Sequence, residues 1–276
     1  MWKFGSKIYL STITFTAKDN VRGLIVGKVF SGEALAYYNQ GQKYPNLLVT
    51  DVVESIGKVL FPVFSNQQDD RKLIKRELRD SVNLSSFLLL PCILGLVAIA
   101  DSFILLLLTD KWAPCIPFLR ILCFVYITRP MSTIFQKAIL AIGKSDINLI
   151  HEIITSGLTV VLLLLSVFWL HSIELIAWSY VLISIIGTVF LAIFINIYYD
   201  YSVKQICEDY LPSLVIASIM ALIVYYLGKI QCTLPIKFFI QLFGGIIIYL
   251  ILTTLFNNKV MQYLKSVFVK KIDSIE

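Results

Sequence analysis

From Ser81 to Leu108 the chain reads SVNLSSFLLLPCILGLVAIADSFILLLL, and long apolar runs of this kind recur along its whole length. A hydrocarbon layer about 30 Å thick takes about 20 residues of helix to cross. Inside lipid the backbone finds no water, so each run has to close its own hydrogen bonds as a helix. Spans are predicted over 6–30, 34–62, 81–108, 115–142, 148–170, 173–198, 209–229 and 235–256. Hydrophobic residues make up 58% of the 276 and charged residues only 15%, which excludes an ordinary soluble domain. The predicted fold is all-α, a polytopic membrane helix bundle of about eight transmembrane helices with short connections.

Basic residues set the expected orientation. One side receives Lys3, Lys7, the Arg71/Lys72/Lys75/Arg76/Arg79 cluster, Lys144, Lys204 and the lysines of the tail. The other receives Lys111, Lys229 and Lys237, with Lys28 and Lys43 near helix ends. Both termini are therefore expected in the cytoplasm, in a multi-pass protein of the cytoplasmic (inner) membrane. Met1-Trp2-Lys3-Phe4-Gly5 leads straight into a span, so insertion is expected to use the spans themselves. The basic cluster reads as a short amphipathic helix that anchors topology, or as a dock for anionic headgroups. The tail 257–276 reads as a cytoplasmic surface helix.

The first two spans carry charge where lipid tolerates it least. Lys18, Asp19 and Arg22 stand midway along the first, and Asp51, Glu54 and Lys58 stand inside the second. Such a side chain at the centre of a lipid-facing helix costs about 2.5–3.5 kcal/mol. These residues are therefore expected to face protein or a wet cavity. Helical spacing puts Thr12, Thr16, Asp19 and Gly23 on one stripe and Ser11, Lys18 and Arg22 on the next, with Ile13, Val21 and Leu24-Ile25 toward lipid. Asp19 and Arg22 are three apart and either neutralise each other or leave Lys18 and Arg22 presenting positive charge. Asp51, Glu54 and Lys58 share a face, as a structural pair with Asp51 beside it or as an ion-coupling group. In the fourth span Arg129-Pro130 is expected to interrupt and kink the helix, with Gln136 and Lys137 further along. Lys18, Arg22 and Arg129 together predict a basic pocket suited to phosphate or pyrophosphate oxygens.

Other motifs fall short. Gly23-Leu24-Ile25-Val26-Gly27-Lys28 is too short for a phosphate loop and reads as a small-xxx-small packing face. His151-Glu152-Ile153-Ile154-Thr155 lacks the second histidine of a zinc protease helix, so His151 is read as an anchor near the interface. Cys92, Cys115, Cys123, Cys207 and Cys232 have no ligand spacing. No catalytic residue, metal site, cofactor or nucleic-acid partner is predicted, and the chain is not expected to be an enzyme.

A set of short segments resembles a known family when taken in order. They are Gly32-Glu33-Ala34-Leu35-Ala36-Tyr37-Tyr38-Asn39-Gln40-Gly41-Gln42, then Val59-Leu60-Phe61-Pro62-Val63-Phe64-Ser65 with Gln68-Asp69-Asp70. Leu108-Thr109-Asp110-Lys111-Trp112, Pro117-Phe118-Leu119-Arg120-Ile121-Leu122 and Ala138-x-x-Ala141 with Gly143-Lys144-Ser145-Asp146 follow. The set resembles the second half of Wzx-type polysaccharide (O-antigen) flippases, of the multidrug/oligosaccharidyl-lipid/polysaccharide exporter superfamily. The resemblance implies a six-helix lobe over 1–200, two additional membrane helices over 201–256 and the tail. It also implies translocation of undecaprenyl-pyrophosphate-linked oligosaccharide for surface polysaccharide or lipopolysaccharide biosynthesis, with basic cavity residues meeting the pyrophosphate.

Family members are about twice this length, so a first-lobe chain or a second copy is an expected partner, beside the lipid-linked oligosaccharide and membrane lipids. The alternatives are a non-transporting truncated fragment and a cation-coupled small-molecule exporter. A polymerase or glycosyltransferase would need a large carboxylate-bearing loop, which the sequence lacks.

Overall fold

The computed structural model describes residues 2–67 and 70–256, without the side chains of 2–4, 17, 19, 169, 170 and 256. The tail 257–276 and the side chain of Asp19 thus lie outside the described residues. Eight long helices follow one another among those described: α1 (Trp2–Val29), α2 (Gly32–Asn66), α3 (Arg71–Leu108), α4 (Ile116–Ala141), α5 (Ser145–Leu165), α6 (Ile173–Tyr199), α7 (Val203–Leu227) and α8 (Leu234–Phe256). Six of them, α3 to α8, are long and apolar enough to cross a membrane. Helices α1 and α2 are as long but do not meet that standard. The protein is an all-α multi-pass membrane bundle.

The breaks between helices have local causes. Ser31 takes an extended backbone and its hydroxyl accepts from the Ala34 N–H at 2.9 Å, which ends α1 and starts α2 near the predicted joint. Asp70 caps α3 by accepting from the N–H groups of Lys72 and Leu73, each at 3.0 Å. A left-handed Asp200 closes α6, and a capping box of Ser202 and Gln205 opens α7.

Two expectations about these helices are corrected. The basic segment is not a separate short helix. It is the first part of α3, because no glycine or proline interrupts the chain before Pro91. Ile74, Leu78 and Val82 bury one stripe of it while Arg71, Lys72 and Arg76 stay exposed. At about 1.5 Å per residue the 38 residues of α3 reach about 57 Å. Likewise α4 runs unbroken through Pro130. The ring removes the donor that would bond the Tyr126 carbonyl. Beside it, the Tyr210 hydroxyl of α7 donates to the Ile127 carbonyl at 2.6 Å, so polar support reaches this turn from outside the helix.

Helix α4 is the centre of the bundle. It packs along α2, α3 and α6, while α7 and α8 lie against α3, and α1 rests chiefly on α5. Fully buried Phe64, Leu78, Leu90, Leu122, Phe135 and Tyr201 belong to one continuous core. Of the predicted small-xxx-small face, Gly27 is closely packed, an added Cβ standing 2.8 Å from Leu35 Cδ2 of α2, while one at Gly23 would meet nothing within 4 Å. A close approach to backbone lies at Gly41, where a Cβ would stand 2.8 Å from the Leu119 backbone nitrogen. Outward faces of α5 to α8 are apolar, with Ile153, Leu182, Ile193, Leu222 and Ile247 exposed as lipid-facing side chains would be.

Candidate functional site

The stripe of α1 that turns inward is Ser11, Lys18, Arg22 and Val26, at helical spacing. Thr12 and Thr16 face out, and their hydroxyls return to carbonyls of their own helix. Lys18 and Arg22 are 9% and 5% exposed, which for ionic side chains demands partners.

Lys18 finds its partner on α5. Its ammonium donates to Glu152 Oε2 at 3.5 Å, both side chains being buried. His151 Nδ1 stands 3.4 Å from the other carboxylate oxygen. Arg22 lies flat over the Tyr180 ring of α6, with its guanidinium carbon 4.1 Å from the centroid, and Nη1 donates to the Tyr38 hydroxyl at 3.5 Å. A cation over an aromatic face is stabilised by the ring quadrupole, the more so away from water.

Arg129 of α4 is half-buried and enters the same region. Its guanidinium carbon is 5.8 Å from the Phe15 ring, and Lys18 Nζ is 4.9 Å from that same ring. Tyr126, one turn before Arg129, donates its hydroxyl to Asn46 of α2 at 3.2 Å. Lys18 and Arg129 thus meet at Phe15, while Arg22 lies over Tyr180. Beside Arg22 a cavity of about 110 Å³ opens between α1 and α2, lined by Tyr38, Asn39 and Gln42 among others. A polar space of that size holds several waters.

The other candidates lie elsewhere. Asp51, Glu54 and Lys58 are all exposed on α2, on the side away from the buried stripe Val49, Val53, Gly57 and Leu60. Asp51 also borders an open groove of about 520 Å³ between α2 and α3, with Ser55, Leu84 and Leu88. The Lys137 stem lies over Gly57, 2.9 Å from where a Cβ would be.

Sequence reasoning missed Glu152 as the partner of Lys18, and the tyrosines that receive Arg22. Glu152 had a signal. Asn148, Glu152, Thr155 and Thr159 repeat every three or four residues within an otherwise apolar helix, which marks a polar seam. All four are buried.

A second ionic cluster joins α3 to α7. Arg79 donates to both oxygens of Asp209, each at 2.7 Å, and the Tyr201 hydroxyl donates to Asp209 at 2.9 Å. Tyr201 sits in the short link between α6 and α7. Burial, and then Asp209, push its phenol above the ordinary tyrosine value, so it remains a donor.

The family described as "Polysaccharide biosynthesis protein" matches residues 1–117. The teichuronic acid biosynthesis protein TuaB of Bacillus subtilis (strain 168) is 24% identical over 188 residues, which cover 67% of this chain and 38% of that protein. The lipopolysaccharide biosynthesis protein WzxC of Escherichia coli (strain K12) is 23% identical over 146 residues, 53% of this chain and 30% of that one. The chain therefore matches well under half the length of these relatives. In fold it is similar to the lipid II flippase MurJ in an inward closed conformation, with a TM-score of 0.73 and 19% identity over 93% of this chain and 53% of that one. In sequence the chain is thus similar to polysaccharide biosynthesis proteins, and in fold to a flippase about half of whose length it covers.

Proposed function

We propose that the chain is one half of a membrane transporter that moves undecaprenyl-pyrophosphate-linked oligosaccharide across the cytoplasmic (inner) membrane, with both termini in the cytoplasm. Its role is translocation rather than catalysis. The observation that carries the reading is the buried Arg22 lining a cavity between α1 and α2, with Arg129 brought from α4 to the Phe15 ring of α1. Guanidinium groups held at membrane depth on separate helices suit an oxygen-rich, multiply charged headgroup, which they bind through paired donors.

Lys18 takes a different part from its two neighbours. Its charge is matched by Glu152, so it contributes less net positive field than its position alone suggests. The exposed face of Asp51, Glu54 and Lys58 is costly against lipid and suits a watery cleft shared with a further membrane lobe. That lobe is either a separate chain or a second copy.

The test is accumulation of lipid-linked sugar in cells that depend on this protein for export. Arg22→Ala and Arg129→Ala are expected to block export and to pile up the lipid-linked precursor. Unchanged export in both variants overturns the proposal.

A further inference from the structure

Arg22 shares its cavity with neutral groups that a phosphate does not need. Val26 and Leu35 form an apolar wall of that space of about 110 Å³, and Tyr38, Asn39 and Gln42 form a polar one. None of the described residues that line it is acidic. Asn39 is exposed and Gln42 half-buried. They stand three apart on α2, and the same helical spacing leads from them to Asn46 and Thr50. At a rise of 1.5 Å per residue, the stripe from Asn39 to Thr50 is about 16 Å long. From Ala34 to Thr50 the chain carries one charge, Lys43, and no carboxylate. Asp51 and Glu54 come only after the stripe.

Asn46 is held in a set orientation. Its Oδ1 accepts from the Thr50 hydroxyl at 2.6 Å and from the Tyr126 hydroxyl of α4 at 3.2 Å. An amide oxygen has two lone pairs, so both are taken. Nδ2 keeps two protons to donate and has no hydrogen-bond partner among the described residues. Asn46 is exposed, so those donors face outward from the bundle. Amides at this depth are costly against lipid and call for a hydrogen-bonding neighbour.

The chemistry of the stripe selects that neighbour. Phosphate oxygens only accept, and cations suit them best. Hydroxyl groups both donate and accept, as carboxamides do. A sugar ring has such hydroxyls on its rim and C–H groups on its faces. The cavity has the same division, with amides on one wall and Val26 and Leu35 on the other. A small organic cation would meet Arg22 there and no lining carboxylate.

We infer that Asn39, Gln42 and Asn46 form a subsite for the hydroxyls of a neutral sugar, beside the arginine that takes the phosphate. Tyr126 and Thr50 are positioning residues that aim the Asn46 amide. The inference rests on the transporter reading for the phosphate, and assigns sugar discrimination to separate residues.

Equilibrium binding to the full chain in lipid nanodiscs tests it with two probes. One is undecaprenyl pyrophosphate, and the other is the same lipid carrying a neutral trisaccharide. The native chain is expected to prefer the sugar-bearing lipid roughly tenfold, the size of one or two net hydrogen bonds. Asn39→Leu and Asn46→Leu are each expected to reduce that preference, and together to abolish it, with affinity for the bare lipid unchanged. Tyr126→Phe is expected to reduce it by a smaller factor. Arg22→Ala is expected to weaken both lipids alike and keep their ratio. No preference in the native chain, an intact preference in the double variant, or an equal loss of both lipids there overturns the inference. Bare-lipid binding as tight in Arg22→Ala as in the native chain overturns the phosphate reading instead, and a sugar preference that still falls with Asn39 and Asn46 then upholds the subsite.

Discussion

Arg79 grips Asp209 with both ends of its guanidinium fork, and so ties the first part of α3 to the first part of α7. The two residues are 130 positions apart in the chain. Asp209 is almost wholly buried and also receives the Tyr201 hydroxyl, while the Arg79 side chain keeps about a third of its surface in solvent. The pair therefore binds the trailing helices to the main bundle by a buried acid and a partly wet base.

Removing the base is expected to cost more than shortening it. Arg79→Ala strands a buried carboxylate and is expected to lose about 2–3 kcal/mol, less than a fully buried pair would because solvent already screens the arginine. Arg79→Lys keeps the charge, loses the fork and is expected to fall in between. Thermal unfolding of the full chain in detergent, followed by tryptophan fluorescence, checks the order. Equal midpoints for native and Arg79→Ala chains contradict it.

Two glycines are expected to behave oppositely. Gly41→Ala drives a methyl against the Leu119 nitrogen and the Phe118 Cβ, each 2.8 Å away, where neither backbone nor a Cβ can yield. A loss of about 1–3 kcal/mol is expected, since overpacking forces α2 and α4 apart. Gly23→Ala meets open space and is expected to be neutral or slightly stabilising, as alanine is the better helix former. Paired unfolding curves decide this, and equal losses at both sites count against the assigned contact.

The Lys18–Glu152 pair is expected to show strong coupling in a double-mutant cycle. Lys18→Met leaves a buried carboxylate beside His151 and is expected to cost about 3 kcal/mol or more. Adding Glu152→Met removes the stranded charge and is expected to recover most of that loss. Additive losses, measured by unfolding midpoints, speak against a direct pair.

Gln241 holds three helices together. Its oxygen accepts from Ser102 of α3 at 2.6 Å, and its amide donates to the Val224 carbonyl of α7 at 3.1 Å. Gln241→Leu deprives both of a buried partner, at about 1–3 kcal/mol. Faster hydrogen exchange confined to α8 and the end of α7 is the expected sign, and unchanged exchange there is the contrary result.

Much of the fold was legible in the sequence because lipid imposes one rule on every apolar run. The predicted spans at 81–108, 173–198 and 235–256 coincide with α3, α6 and α8 to within a few residues, apart from the start of α3. That start was misread because basic residues on a helix look the same whether or not the helix continues. The unbroken α4 was misread for a related reason. Proline removes one bond, but Tyr210 arrives from 83 residues away to support the same turn. Within the site, the charges on α1 and α4 were visible as charges, but not that Lys18 and Arg129 meet the same Phe15 ring. Their partners were not visible. Nothing local says that Lys18 meets Glu152, 134 residues on, or that Arg22 lies over Tyr180. Asp51, Glu54 and Lys58 share one face as the spacing required, yet spacing cannot say whether a face turns inward.

The length of α3 has a mechanical outcome. A rod of about 57 Å outstretches a hydrocarbon layer of about 30 Å. Its Arg71–Asp80 end carries seven charged side chains on a rigid stub, held upright by the grip on α7. A chain with no water-soluble domain among its described residues thereby owns a stiff handle outside the oil. Any force or neighbour acting on that handle is transmitted along one uninterrupted shaft to the middle of the bundle.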